Sequence, residues 1–250
     1  MRWLSVLAML VLAGCASQQG NTSDTAGRGL ASAKVHTELA ALYYERGQYG
    51  IALDEIATAL NGYRDYSPAY TMRALIQMTL HEDKEAESDF LQSLKLDPAS
   101  SEAHNNYGWF LCQRGREKES IAEFTAAVKN PLYSTPEKAL VNAGLCAHKS
   151  GDDKAAEDFL LRALVSSPRL PEALIALAEL DFDRGDWAGA KSHFLQFEQV
   201  APEALTPANL WLAVRIERKL ARGEAAESYA QQLRKRYPDA RETQLMLYGQ

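Results

Sequence analysis

A small residue returns at a fixed interval through this chain: Ala40, Ala74, Gly108, Gly144, Ala178 and Val214, at steps of 34, 34, 36, 34 and 36 residues. A second series, Ala52, Ala86, Ser120, Ala156, Ala190 and Ala226, follows twelve residues behind the first every time. Self-similarity at this period marks a stacked array, in which each unit buries its apolar face only against its neighbours. Small side chains twelve residues apart suit two paired helices whose backbones come close. Between the two series stand Gly47, Gly115, Gly151 and Gly185, each able to take the left-handed conformation that ends a helix. Pro98, Pro168, Pro202 and Pro238 close the second helix, because proline lacks an amide hydrogen and clashes with the preceding turn. Six such units fit between Ala33 and Pro238, and 46% hydrophobic residues suffice for a shared core.

With Phe90, Phe124 and Phe194 at one position of the second helix, the pattern resembles the tetratricopeptide (TPR) repeat. The resemblance implies an all-α, right-handed solenoid of about six helix-turn-helix repeats over residues 33–238. Helix starts agree with that register. Ser67-Pro68, Thr135-Pro136 and Thr206-Pro207 each put a capping hydroxyl before a proline at the first helical position. The first repeat closes late, at Pro68 after "NGYRDYS", and Asp181 and Glu217 stand where the TPR pattern favours a core Tyr or Leu. Residues 239–250 read as a capping helix, with Asp239 and Glu242 spaced as a capping box.

The N-terminus carries a different message. Arg2 precedes an apolar run from Trp3 to Ala13, 11 residues long, whereas a bilayer-spanning helix needs about 20. The run is therefore the core of a signal peptide. Its end, Leu12-Ala13-Gly14-Cys15, resembles the lipobox of bacterial lipoproteins. That likeness implies a leader over residues 1–14, cleaved before a lipid-modified Cys15, and a thiolate is the nucleophile such chemistry needs. Several acyl chains anchor a protein durably where one chain does not. Ala16, in place of the Asp of the inner-membrane retention signal, favours the periplasmic face of the outer membrane. Residues 15–32 then read as the lipidated cysteine and a flexible polar tether.

Charge and chemistry exclude more than they assign. The net charge is −6, from 27 Lys and Arg against 33 Asp and Glu, which argues against a nucleic-acid partner. Residues 205–250 hold 8 basic and 5 acidic side chains, so +3, leaving −9 for residues 1–204. A basic end on an acidic body suits phospholipid headgroups or an acidic partner surface, and a solvated face on the last helices is the simpler reading. The histidines at 36, 81, 104, 148 and 193 form no metal-spaced pair. "HEDKE" at 81–85 lacks the second histidine of a zinc-protease motif, and neither a phosphate loop nor a nucleophile elbow is present. The expectation is a non-enzymatic protein with no metal and no cofactor beyond the lipid on Cys15. Cys112 and Cys146 lie 34 residues apart. An oxidising periplasm would permit a disulfide between them, but their repeat positions differ by two, a turn of about 200° around the helix, which favours two buried free thiols.

In TPR arrays the first helices line a concave face, mainly at the second, fifth, ninth and twelfth repeat positions. Carried onto this chain, that register gives Tyr44, Thr71, Leu75, Met78, Asn105, Trp109, Val141, Leu145, His148, Ile175, Glu179 and Phe182. In the third repeat Asn105, Trp109 and Cys112 fall on one stripe at i, i+4, i+7. The expected groove is largely apolar and suited to an amphipathic helix or an extended partner segment.

Residues Asp97–Cys146 carry the sharpest likeness. The strings "NNYGWFLC", "NPLY" and "NAGLC" resemble the type IV pilus biogenesis and stability lipoproteins known as the PilF/PilW family. The likeness runs from the lipobox to "LRKRYPDA" near the C-terminus. It implies a pilotin, a monomeric outer-membrane lipoprotein that brings secretin subunits to the membrane and promotes their multimerisation. The lipid and the groove would act as two linked binding modules. Anchor and repeat alone suit equally an adaptor of another envelope machine, such as a tight-adherence pilus, β-barrel assembly or a peptidoglycan enzyme.

Overall fold

The computed structural model describes residues 20–248, and these form thirteen α-helices joined by short turns. Six helix hairpins follow one another: α1 (Gly20–Glu45) with α2 (Tyr49–Gly62), α3 (Ser67–Thr79) with α4 (Asp83–Leu96), and α5 (Ser101–Gln113) with α6 (Glu117–Lys129). Then come α7 (Pro136–Lys149) with α8 (Asp153–Ser166), α9 (Pro171–Asp183) with α10 (Trp187–Val200), and α11 (Pro207–Lys219) with α12 (Gly223–Arg236). A 3₁₀ turn at Pro202–Ala204 precedes α11, and α13 (Arg241–Tyr248) packs back on α11 and α12. Each first helix also touches the first helix of the next repeat, the arrangement of a repeat solenoid.

The two series of small residues are the hairpin contacts. Ala40, Ala52, Ala74, Ala86, Ser120, Ala156, Ala178, Ala190 and Val214 have no exposed surface. At Gly108 and Gly144 the approach is closest. A Cβ on Gly108 would sit 2.9 Å from the Phe124 ring, and one on Gly144 would sit 2.6 Å from Leu160 Cγ. Phe90, Phe124 and Phe194 are buried as expected, each burial contributing roughly 1.5–3 kcal/mol.

The turn between paired helices demands a left-handed residue in all six repeats. Gly47, Gly115, Gly151 and Gly185 supply it at φ of 71–81°, while His81 (62°) and Ala221 (56°) take the same place in the second and sixth repeats. The turn geometry is thus enforced by the hairpin itself, even where the side chain opposes it.

Several local expectations are corrected. Of the three hydroxyl-proline pairs, only Thr206 caps with its side chain, accepting from the amide of Asn209 at 3.2 Å. Ser67 lies inside α3 and turns its hydroxyl to Ser93, 2.8 Å away, which also bonds Thr71 at 2.7 Å. Thr135 occupies the cap of α7 without a side-chain bond. Helix α13 opens at Arg241 rather than after Asp239, and Thr243 fastens it by donating to the Tyr237 carbonyl at 2.6 Å. The polar N-terminal segment is helical from Gly20 onward, not a tether through residue 32. Gly29 explains this: it packs on the end of α2, where a Cβ would meet the Gly62 carbonyl oxygen at 2.6 Å. Residues 1–19, with the leader, Cys15 and Ala16, lie outside the described residues.

The expectation of two free thiols also fails. Cys112 and Cys146 form a disulfide, with Cα atoms 5.9 Å apart. The turn of about 200° between their repeat positions is what brings them together. Helix α5 shows one face to α7, and α7 shows the opposite face back, so a bridge between successive first helices needs cysteines on opposite sides. Equal repeat positions would have pointed both side chains the same way.

Asp181 and Glu217, the two acidic residues at a core position, are buried with partners. Asp181 lies 2.8 Å from His193 Nδ1, and Glu217 meets Lys191 at 2.7 Å and Arg222 at 3.1 Å. Asp89 is held by both Arg73 nitrogens at 2.6 and 2.7 Å. A buried carboxylate is tolerated when paired in this way.

Candidate protein-binding groove

The first helices place a stripe of side chains on one face of the solenoid. On α1, Lys34, Thr37, Glu38 and Ala41 stand at i, i+3, i+4 and i+7, and a step of 34 residues reproduces the set on α3 as Pro68, Thr71, Met72 and Leu75. This spacing aligns each set along one helix face. With Tyr66, Ser100 at the cap of α5, and the α5 residues Glu102 and Asn106, they bound a recess of about 350 Å³. Its floor is apolar and its rim is charged. A second recess of about 320 Å³ lies among α5, α7 and α9, bounded by Asn105, Glu137, Lys138, Val141, Asn142, Leu170 and Glu172. At the second recess, Asn142 Nδ2 donates to Asn105 Oδ1 at 3.0 Å.

Beyond the second recess the face becomes charged. His148 lies 2.8 Å from Asp153 through Nδ1 and 3.3 Å from Asp183 through Nε2. Partial burial opposes its protonation, yet the two carboxylates win and raise its pKa above the usual histidine value. Glu179 opens to solvent, yet the protein packed around it partly desolvates its carboxyl and, with Asp183 next, pushes its pKa up against the pull of Arg215 and His148. The Arg215 guanidinium stands 4.6 Å from the Phe182 ring centroid, close enough for cation–π attraction.

Of the residues placed in the groove from sequence, Thr71 and Leu75 bound the first recess, while Asn105 and Val141 bound the second. Met78, Ile175 and Phe182 are half-buried, and Leu145 and Glu179 are exposed. Thr71 and Val141 line their recesses from buried positions, Thr71 with its hydroxyl bonded to Ser93. Two are committed elsewhere: Tyr44 bonds the Thr79 hydroxyl at 2.9 Å, and Trp109 packs on the cluster around Cys112 and Phe124. Trp109 therefore has less surface to offer a partner than its sequence position suggests. The sixth repeat position was missed altogether: Glu38, Met72, Asn106 and Asn142 all line recesses. A signal existed, because the sixth position lies four residues after the second and shares its face. The groove is most apolar over α1, α3 and α5, and polar and charged side chains take a larger share of it toward α7 and α9. Among the described residues no group of three His, Cys, Asp or Glu is placed to hold a metal ion, and no helix is long and apolar enough to cross a membrane.

Stacked helix hairpins with a lined concave face define a tetratricopeptide-repeat protein, a scaffold class. TPR family models match residues 67–100 and 90–122. The chain is similar to PilW, a type IV pilus biogenesis factor of known crystal structure, with 34% identity and a TM-score of 0.80 over 86% of this chain and 98% of that one. It is also similar to the type IV pilus assembly protein PilF of Pseudomonas aeruginosa, 23% identical over 242 residues, which are 96% of this chain and 95% of PilF. A solved structure of that PilF matches with 22% identity and a TM-score of 0.77 over 88% and 98% of the two chains. The chain belongs to the PilW/PilF family of type IV pilus biogenesis TPR proteins.

Proposed function

We propose that this protein is the pilotin of a type IV pilus, a non-enzymatic scaffold that carries secretin subunits to the outer membrane and promotes their multimerisation. The observation behind this reading is the apolar recess of about 350 Å³ at the α1, α3 and α5 end of the concave face, in a chain whose relatives serve pilus biogenesis. A recess of that size takes one or two apolar side chains of a partner. Lipid on Cys15 would hold the array at the periplasmic face of the outer membrane. A captured subunit would then be concentrated there, because a second binding event on one molecule is intramolecular.

The test is secretin multimer abundance in fractionated membranes from cells lacking the gene, complemented with wild type or Cys15→Ala. Loss of outer-membrane multimers in the deletion, restored by wild type and mislocalised with Cys15→Ala, is the expected result. Normal outer-membrane multimers in the deletion would reject the role.

A further inference from the structure

The concave face changes character along its length. An apolar recess among α1, α3 and α5 gives way to an asparagine bridge on α5 and α7, and then to carboxylates around α9. We propose that this face binds an extended peptide segment bearing an apolar side chain at one end and a lysine or arginine at the other, roughly eight residues away. The proposal rests on reading the concave face as the partner-binding site, and it specifies the chemistry of what lies there.

Three observations carry it. First, Asn106 and Asn142 occupy the same repeat position 36 residues apart and line the first and second recesses. Beyond their bonds to Asn105, Asn142 keeps its Oδ1 and one N–H, and Asn106 keeps its Nδ2 and a lone pair on Oδ1, which suits a strand whose backbone N–H and C=O groups are unpaired. A helix has already satisfied its own backbone groups and gains little there. Second, charge is complementary at the far end. Glu172, Glu179 and Asp183 are all exposed on α9, and Asp183 lies 3.3 Å from His148. Arg215, seated on Phe182, still acts on Glu179, as does His148, and Lys138 stands with Glu137 and Glu172 around the second recess, so carboxylates outnumber cations at this end. Third, the spacing suits an extended chain. Neighbouring first helices pack about 10 Å apart, so three steps from α3 to α9 cover roughly 30 Å, or about eight to nine residues at about 3.3 Å each.

The experiment presents a phage library of linear random 14-residue peptides to the full chain purified in detergent. Enriched sequences are then synthesised and their affinities measured. The expected peptides carry an apolar residue and a basic residue about eight apart. Asn106→Ala with Asn142→Ala should weaken them at least tenfold. Glu179→Gln with Asp183→Asn should weaken them about tenfold at low salt, and the loss should vanish when the basic residue of the peptide is alanine. Thermal melts confirm that both variants fold. Locking the peptides into a helix with an i, i+4 staple should abolish binding. Absence of enriched peptides, affinity indifferent to either pair of substitutions, or equal binding of the stapled form overturns the proposal. Overlapping peptides spanning the secretin are measured in parallel. Library peptides that bind as expected while no secretin peptide binds would keep the extended basic ligand and reject the secretin reading. Secretin peptides that bind regardless of Asn106 and Asn142 would do the reverse.

Discussion

Cys112 on α5 and Cys146 on α7 are joined across the interface of two successive repeats. The bridge closes a loop of 34 residues. On the chain-entropy model such a loop is worth about 4 kcal/mol, since the unfolded chain loses the freedom to separate its ends. Denatured Cys15→Ala protein without reductant should show no reactive thiol, and two after reduction. Cys112→Ser with Cys146→Ser should lower the urea unfolding free energy by about 2–4 kcal/mol. An unchanged midpoint would mean that the repeats hold their register without the bridge.

Ala221 sits at φ of 56° in the turn where four other repeats have glycine. A left-handed alanine costs about 1–2 kcal/mol, partly offset because glycine loses more backbone entropy on folding. Ala221→Gly should therefore stabilise by about 0.5–1 kcal/mol, and Gly185→Ala in the same type of turn should destabilise by a similar or larger amount. Urea midpoints of the two variants should move in opposite directions, and a shared direction would contradict the turn argument.

Gly144→Ala asks for space that α8 does not leave. The added carbon would lie 2.6 Å from Leu160 Cγ and 3.2 Å from the Ala156 carbonyl oxygen. Because one neighbour is backbone, the helices must move apart, at a cost of about 1–3 kcal/mol. Gly144→Ala with Leu160→Ala should recover part of the contact strain while losing the leucine packing. Double-mutant coupling read from thermal or urea unfolding would reveal it.

His104 reports on α5 and α6 through pH. Its Nδ1 lies 2.6 Å from Glu123, and its Nε2 lies 3.1 Å from the Pro98 carbonyl. The Glu123 carboxylate, and after it the carbonyl, raise the pKa of the ring against the opposing effect of burial. The folded state therefore favours the protonated ring. The added stability is complete below the unfolded value of about 6.5 and is lost as pH rises through the higher folded value. NMR titration should place His104 above a peptide histidine, and Glu123→Gln should bring it down. The same substitution should flatten the fall in unfolding free energy across that interval.

The repeat, the helix pairs and the capping helix were legible because they depend on local rules. Glycine turns, terminating prolines and small residues at close approaches each act within a few residues. What escaped depended on neighbours distant in sequence. Gly29 looks like tether glycine until Gly62 is packed against it. Ser67 reads as a cap until Ser93 arrives from α4 to take its hydroxyl. The disulfide was misjudged because two helices that face each other were compared as though they were superimposed. In the groove, Asn106 and Met72 lay one helical turn from positions already chosen, but only the three-helix recess gives them a shared purpose.

Helix α1 bears on geometry at a larger scale. It runs continuously from Gly20 into the first hairpin, and from Gly20 to Gly29 it extends about 14 Å at 1.5 Å per residue. With lipid on Cys15, five peptide steps separate the anchor from that rod, a span of at most about 18 Å. The stand-off from the bilayer is then about 32 Å at most. A partner segment would be met close to the headgroups and delivered at a defined height, as a bracket holds a pipe against a wall.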